Sequence, residues 1–207
     1  RKKIVNLEPL MLTTLAALVP EDLDADIKIV DEGIEKGSYR GELYDIVGIS
    51  CCTASAERAC ALCRYWKMKG AYVVLGGPHP TLNPKEAAAW GDSIVIGPAE
   101  ESWPRLLRDF INEKAQKFYY PAEGAAMISS PVPKRDVRGR AYTPVPSVIA
   151  NRGCVYPCDF CTIQSMWRKL PHKRPIGEVV REIQTLKNKY IIILDPGPSS
   201  DPEYTKE

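Results

Sequence analysis

The chain has 207 residues, 44% of them hydrophobic, and a formal net charge of +2. That length suggests one or two domains with enough apolar material for a core, and the balance of charge gives no electrostatic case for a nucleic acid or a membrane surface as partner. The longest apolar runs, such as Tyr190 to Leu194, are far too short to span a bilayer; no secretory signal pattern opens the chain, and seven cysteines without one point to a reducing cytoplasm.

Leu10, Leu12, Leu15, Ala16 and Leu18 recur at roughly helical spacing, and Pro20 stops that helix. Ile27 to Val30 is strand-like. Asp45 to Ser50 reads as a buried parallel strand from its continuous apolar run. Ala54 to Lys69 reads as a helix capped by Gly70, and Ala71 to Leu75 as the next strand, followed at once by Gly76-Gly77-Pro78-His79-Pro80. A short helix is expected near Pro84 to Trp90, a strand over Ser93 to Ile96, and a helix over Ala99 to Ile111 with Glu100 and Glu101 in its first turn. This alternation predicts a doubly wound, mostly parallel, Rossmann-like α/β sheet. Ligands of such sheets sit beyond the carboxyl ends of the strands, where Ser50, Gly76, Gly77 and Gly97 fall; ordinary strand-to-helix turns would also place glycines there. His79 follows the glycine pair and could contact a ligand or simply bond to backbone. Cys51 and Cys52 could line that pocket or fill space. Cys60-x-x-Cys63 lies within the predicted helix, beside Ala56 and Ala59, and reads as a small-residue packing stripe rather than a redox pair.

Residues 114–146, with Pro121, Pro131, Pro133, Pro144 and Pro146, read as a connection with little regular structure. An apolar run, Val145 to Ala150, then leads into Asn151-Arg152-Gly153-Cys154-Val155-Tyr156-Pro157-Cys158-Asp159-Phe160-Cys161. Three thiols at the spacing C-x-x-x-C-x-x-C suit an iron–sulfur cluster or zinc. A four-iron, four-sulfur cluster held by three cysteines keeps one iron without a protein ligand. The alternatives are half of a structural zinc site with His172 as fourth ligand, although such sites usually bring ligands in two short pairs, or inert thiols. Thr162 to Arg174 is basic. Ile176, Val179, Val180, Ile183 and Leu186 form a helical stripe, and Tyr190 to Leu194 a buried strand ending at Asp195. Strand, helix and strand make the opening unit of a (β/α) barrel, with the cysteine loop at the strand's carboxyl end. Asp201-Pro202-Glu203 reads as a helix start; a helix begun so near the last residue suggests a fragment of a longer protein.

The cysteine loop, with Phe160 before its last cysteine, resembles the radical S-adenosylmethionine enzymes. The first 120 residues resemble the cobalamin-binding domain that precedes the radical domain in one branch of that superfamily. The matching text is Asp45 to Ser50, Val73 to Thr81 through Gly76-Gly77-Pro78-His79, and Ile96 to Glu101. The resemblance implies a 4Fe–4S cluster on Cys154, Cys158 and Cys161, and S-adenosylmethionine on the open iron with Phe160 near its adenine. It implies cobalamin against Ser50, Gly76, Gly77, His79, Gly97 and Glu100, an electron donor such as flavodoxin or ferredoxin, and a small-molecule substrate. In the family, electron transfer from the cluster yields a 5′-deoxyadenosyl radical, and methylcobalamin commonly donates a methyl group, so a methyltransferase is implied. Two departures stand out. Where D-x-H-x-x-G would carry the cobalt-ligating His, this chain has Asp31-Glu32-Gly33, so cobalamin without His ligation is expected. The family's G-E-A-E becomes Gly97-Pro98-Ala99-Glu100, with one carboxylate lost. The implied domains are a cobalamin-binding-like sheet over 1–120, a linker over 121–146 and a partial barrel over 147–207. With two barrel strands, a non-catalytic cofactor-binding remnant or a zinc-stabilised interaction module are the alternatives to an enzyme.

Overall fold

The computed structural model describes residues 7–35, 37–121, 129–137, 142, 145–167, 172–197 and 201–207. The chain divides into two compact units: Tyr39–Gly124, and Arg1–Ser38 together with Ala125–Glu207.

The first unit is a four-stranded parallel sheet in the order β1 (Ile46–Ser50), β2 (Tyr72–Gly76), β3 (Ser93–Val95), β4 (Phe118–Tyr119). The helices in the connections are α2 (Ala56–Met68), α3 (Pro78–Leu82), α4 (Pro84–Ala88) and α5 (Ser102–Ile111), α1 being the N-terminal helix of the other unit. Register runs Val47 to Val73, Leu75 to Ile94 and Ile94 to Phe118. Side chains alternate across the sheet. One face buries Val74, Val95 and Tyr119 with Leu106 of α5, and Trp103 and Ala99 pack against that cluster. The Trp103 ring lies 3.4 Å from where a Cβ on Gly48 would stand, so α5 packs closely over the glycine of β1. Val73 and Leu75 alternate to the opposite face and are fully buried there. Helix α2 buries Ala56, Ala59, Cys63 and Trp66, so Cys63 belongs to the small-residue packing stripe and Cys60 sits half-buried at its margin. Burial pushes the Cys63 thiol up to about 12, with Cys60 nearby adding to the shift.

Strand β4 lies inside the segment expected to lack regular structure. Burial of Tyr119 decides it: the ring enters the core and its hydroxyl donates to Asp109 at 2.8 Å, so the aromatic pair anchors a fourth strand. Ile27 to Val30, expected as a strand, forms no ladder among the described residues. Lys28 interrupts an already short run, and a strand without a partner leaves its backbone groups unpaired.

In the second unit α1 (Leu10–Ala17) buries Leu10, Thr13, Thr14 and Ala16 rather than a purely leucine stripe. The two threonines tolerate burial because both hydroxyls donate to the Leu10 carbonyl, at 3.0 and 2.8 Å. Strand β5 (Ser147–Val148) pairs in parallel with β8 (Ile192–Ile193), and α7 (Ile176–Thr185) lies between them in sequence. This is the expected strand–helix–strand unit. A two-residue antiparallel ladder, β6 (Asn151–Arg152) with β7 (His172–Lys173), ties the two ends of the cysteine segment together, with the short α6 (Ile163–Trp167) in between. The last helix, α8 (Pro202–Lys206), is capped as its sequence predicts: the Asp201 side chain accepts from Tyr204 N at 3.0 Å.

Four charges, three of them buried and the fourth, Arg135, nearly so, run through this unit. Glu8 Oε1 accepts from Arg135 Nε at 3.0 Å and from Ser147 N at 2.9 Å. Arg135 donates onward to Glu182 Oε1 at 2.7 Å and to Ser147 O at 2.6 Å. Glu182 Oε2 takes a 2.7 Å bond from Arg174, which also donates to Ile149 O and Ser130 O. The charges alternate in sign and sum to zero, which is what allows them to be buried together. The N-terminal 38 residues, expected with the sheet domain, fall in this unit, and Glu8 is the side chain that ties them to β5.

Candidate functional site

The carboxyl ends of β1, β2 and β3 bring Ser50, Gly76, Gly77 and Gly97 to one edge of the sheet, as the chain order requires for a parallel doubly wound fold. Gly77 has φ +96°, and a Cβ there would stand 2.8 Å from Ser50 Oγ and 3.0 Å from Cys51 O. Only glycine fits, and it fits because the turn after β2 is pressed against the turn after β1. Cys51 N donates to Gly76 O and His79 N to Cys51 O, both at 3.1 Å, which locks the two turns together. Gly97 N donates to Thr81 Oγ1 at 3.0 Å, so the third turn is fastened by a threonine that sequence reasoning passed over. Glu100 is half-buried at the start of α5's approach.

His79 is not at the surface of this edge: it is 3% exposed. Its ring stacks on Trp90 with centroids 5.6 Å apart and planes at 6°. Nδ1 faces Thr53 Oγ1 at 3.3 Å and Nε2 faces Glu86 Oε2 at 3.7 Å. Beside it, burial pushes the Cys51 thiol up to about 11. The neighbouring Cys52 is exposed, and the Ser55 hydroxyl and backbone hold its thiol below the ordinary value. A cleft of about 810 Å³ opens at the other end of the sheet, lined by Tyr44, Asp45, Lys67, Tyr72 and Asp92 among others. Lys67 and Asp92 neutralise each other there at 2.8 Å. The parallel topology directs a ligand to the carboxyl end instead.

Asp31, in the other unit, is consumed locally. One carboxylate oxygen accepts from Gly33 N at 2.9 Å and the other from Tyr142 at 3.2 Å, a turn with no imidazole in it.

The cysteine loop leaves β6 through buried Gly153, at φ +91°. Cys154 and Cys161 are half-buried, Cys158 is exposed, and Phe160 is 91% exposed. Cys158 N donates to Tyr156 O and Cys161 N to Cys158 O, each at 3.0 Å, so the loop turns tightly around its second and third thiols. Among the described residues no three metal-ligating side chains converge. The donor set nevertheless fits an iron–sulfur cluster in kind: three soft sulfurs on one short loop, two on half-buried residues and one on an exposed residue. His172, the fourth ligand of the zinc alternative, sits in β7 with its ring tilted against Trp167 at 5.5 Å and Nε2 3.3 Å from Trp167 O.

The base of the loop is fastened by residues that sequence reasoning did not single out for it. Asp195 accepts from Ala150 N at 2.8 Å and from Asn151 Nδ2 at 3.0 Å. Burial raises its carboxyl above the ordinary value, and the backbone N–H groups of Asn151 and Ala150 pull it partly back. Tyr204 OH reaches both Ala150 O and Arg174 O, at 3.0 and 2.8 Å. Ile149 to Asn151 are thereby held on both sides immediately before the thiols begin.

Residues 6–107 match the family model of the B12 binding domain. The chain is 35% identical over 170 residues to the bacteriochlorophyllide d C-8(2)-methyltransferase of Chlorobaculum tepidum, covering 75% of this chain and 36% of that protein. It is 27% identical over 146 residues to the bacteriochlorophyllide d C-12(1)-methyltransferase of the same organism, covering 68% of this chain and 32% of that protein. The chain thus spans about a third of the length of these curated relatives. Among solved structures, the radical S-adenosylmethionine methyltransferase TsrM from Kitasatospora setae superposes with a TM-score of 0.72 at 15% identity, over 99% of this chain and 47% of that one. At that identity the likeness is one of fold.

Proposed function

From a chain whose residues 6–107 match the B12 binding domain, we propose that it forms the cofactor-binding portion of a cobalamin- and S-adenosylmethionine-dependent radical methyltransferase. The observation that carries the reading is this family match, falling on a sheet whose carboxyl ends gather Ser50, Gly76, Gly77 and Gly97. The methyltransferase names of its relatives and the fold shared with a radical S-adenosylmethionine methyltransferase support the remainder.

Ser50 and the locked turns at Gly76-Gly77 and Gly97 would seat the corrinoid, with Glu100 beside them and His79 beneath the edge rather than on the cobalt. Cys154, Cys158 and Cys161 would hold the cluster, and Phe160, exposed beside Cys161, would cover the nucleoside of S-adenosylmethionine. When bound, these groups supply a single electron, a radical-generating sulfonium and a transferable methyl group. The protein's part is ligation, orientation and exclusion of water. Asp195, Arg174 and Tyr204 hold the strand end from which the thiols emerge. An external single-electron donor such as flavodoxin or ferredoxin, a small-molecule methyl acceptor and a reducing cytoplasm complete the proposal.

The test is corrinoid binding by the chain itself. Mixed with hydroxocobalamin and passed through a desalting column, the protein is expected to retain the corrin absorbance in roughly equimolar amount. Retention should fall when Gly77 is replaced by valine, which fills the turn. A chain that emerges colourless overturns the reading.

A further inference from the structure

His79 is buried, stacked and flanked on both ring nitrogens, yet nothing described so far gives it work to do. Its backbone N–H donates to Cys51 O at 3.1 Å and its ring lies flat on Trp90, so the imidazole is fixed in place and in orientation. Nε2 faces the Glu86 carboxylate at 3.7 Å and makes no hydrogen bond among the described residues. The Glu86 side chain is 56% exposed and free to adjust toward it. Nδ1 faces the hydroxyl of Thr53 at 3.3 Å. Thr53 opens the short turn after β1 and is exposed at the carboxyl edge of the sheet, beside Cys52.

The carboxylate on the Nε2 side favours one proton assignment: with the ring proton on Nε2, facing Glu86, Nδ1 is left as an acceptor. The Thr53 hydroxyl then donates to Nδ1, and the oxygen of this exposed residue keeps its capacity to accept. A threonine with a freely rotating hydroxyl offers either a donor or an acceptor. With the proton on Nε2 this one would be held as an acceptor, through a chain of three residues drawn from β1's turn, α3 and α4.

We propose that Thr53, oriented by His79, accepts a hydrogen bond from a ligand N–H, and that the donor is a primary carboxamide on the rim of a corrin ring bound at this edge. The inference rests on the cobalamin reading above. It adds the ligand-facing group and assigns His79 as a positioning residue that acts through it. Primary carboxamides are the N–H donors that rim a corrin, and an acceptor-only hydroxyl distinguishes them from esters, which have no proton to give.

The test uses the full chain with three corrinoids: hydroxocobalamin, dicyanocobinamide (amides kept, nucleotide tail absent) and heptamethyl cobyrinate (esters in place of amides). Thr53→Val, an exposed near-isosteric change, is expected to weaken both amide corrinoids by about fivefold, the worth of one ordinary hydrogen bond, and to leave the heptaester unaffected. Thr53→Ser should restore binding. His79→Phe, which keeps the stack on Trp90, should weaken the amide corrinoids to a similar extent, and the double variant should be no weaker than either single one. Independently of any ligand, nitrogen-15 NMR should place the His79 proton on Nε2. Equal binding by wild type and Thr53→Val, an equal loss for the heptaester, or a proton on Nδ1 overturns the assignment while leaving cobalamin binding intact. A wild-type chain that binds none of the three overturns the cobalamin reading and this assignment with it.

Discussion

In the sheet unit the fully buried side chains include Val73, Leu75, Ile94 and Leu106; in the other unit Glu8 and Glu182 are buried as deeply and are met by Arg135 and Arg174. Both interiors are filled, but they respond differently to change. An apolar core is held by many small, non-directional contacts and loses stability in proportion to what is removed. A buried ion chain is directional: removing one member strands the others without water or partner. The sheet unit can therefore tolerate varied side chains while its strand ends keep their positions. The cysteine-bearing unit instead fixes the backbone at Ser147 and Ile149 by hydrogen bonds that depend on particular charges.

Glu182→Ala should break this comparison most sharply. It leaves Arg135 and Arg174 buried without their shared carboxylate, at a cost of about 3–5 kcal/mol. Hydrogen exchange should show lost protection over 145–150 and 174–185 while β1 to β4 stay protected. Leu106→Ala is the counterpart in the sheet unit, at about 3 kcal/mol, and should open β2 to β4 while the Arg174 bonds persist. A Glu182→Ala variant that unfolds no more easily in urea than wild type would mean the ion chain contributes nothing net.

Gly77→Ala comes next. Positive φ and a Cβ 2.8 Å from Ser50 Oγ predict a loss of about 1–3 kcal/mol, readable as a lower urea midpoint. Removing the hydroxyl as well, in Ser50→Ala/Gly77→Ala, should recover part of it. The smallest effect concerns thiol chemistry at the same edge. Because Ser55 lowers the Cys52 thiol, its iodoacetamide rate should rise with pH to a midpoint below the ordinary 9.0. Cys51 and Cys63, raised by burial, should stay unmodified in the folded protein. The sign for stability follows: a depressed Cys52 adds stability above its ordinary value, and that contribution is lost as pH falls through the lowered one. Mass spectrometry of alkylated peptides reads the order of reaction directly.

What could be read from the sequence follows the same division. Strands β1, β2 and β3 are continuous apolar runs bounded by glycine or a charged residue, and they form where the pattern places them. The strand–helix–strand of the second unit is likewise legible in the stripe from Ile176 to Leu186. Strand β4 escaped because two aromatic residues in a lysine- and proline-rich stretch carry no periodicity. Ile27 to Val30 misled because composition cannot say whether a neighbouring strand exists. The ion chain is illegible locally. Glu182 reads as the polar face of an amphipathic helix, and its partner Arg135 stands 47 positions away. Thr53 and His79 are 26 apart and meet only because two parallel strands end side by side. The cysteine spacing, by contrast, is a local signal that names three candidate donors, and among the described residues no three metal-ligating side chains converge.

The central claim is that one chain carries both a corrinoid seat and a three-thiol cluster loop. Its most direct test is elemental analysis of the protein after anaerobic reconstitution with iron, sulfide and hydroxocobalamin, followed by desalting. The account predicts roughly one cobalt and about four irons per chain, with Cys158→Ala losing the iron while keeping the cobalt. Zinc in place of iron, iron retained by Cys158→Ala, or a wild-type protein without cobalt would contradict it.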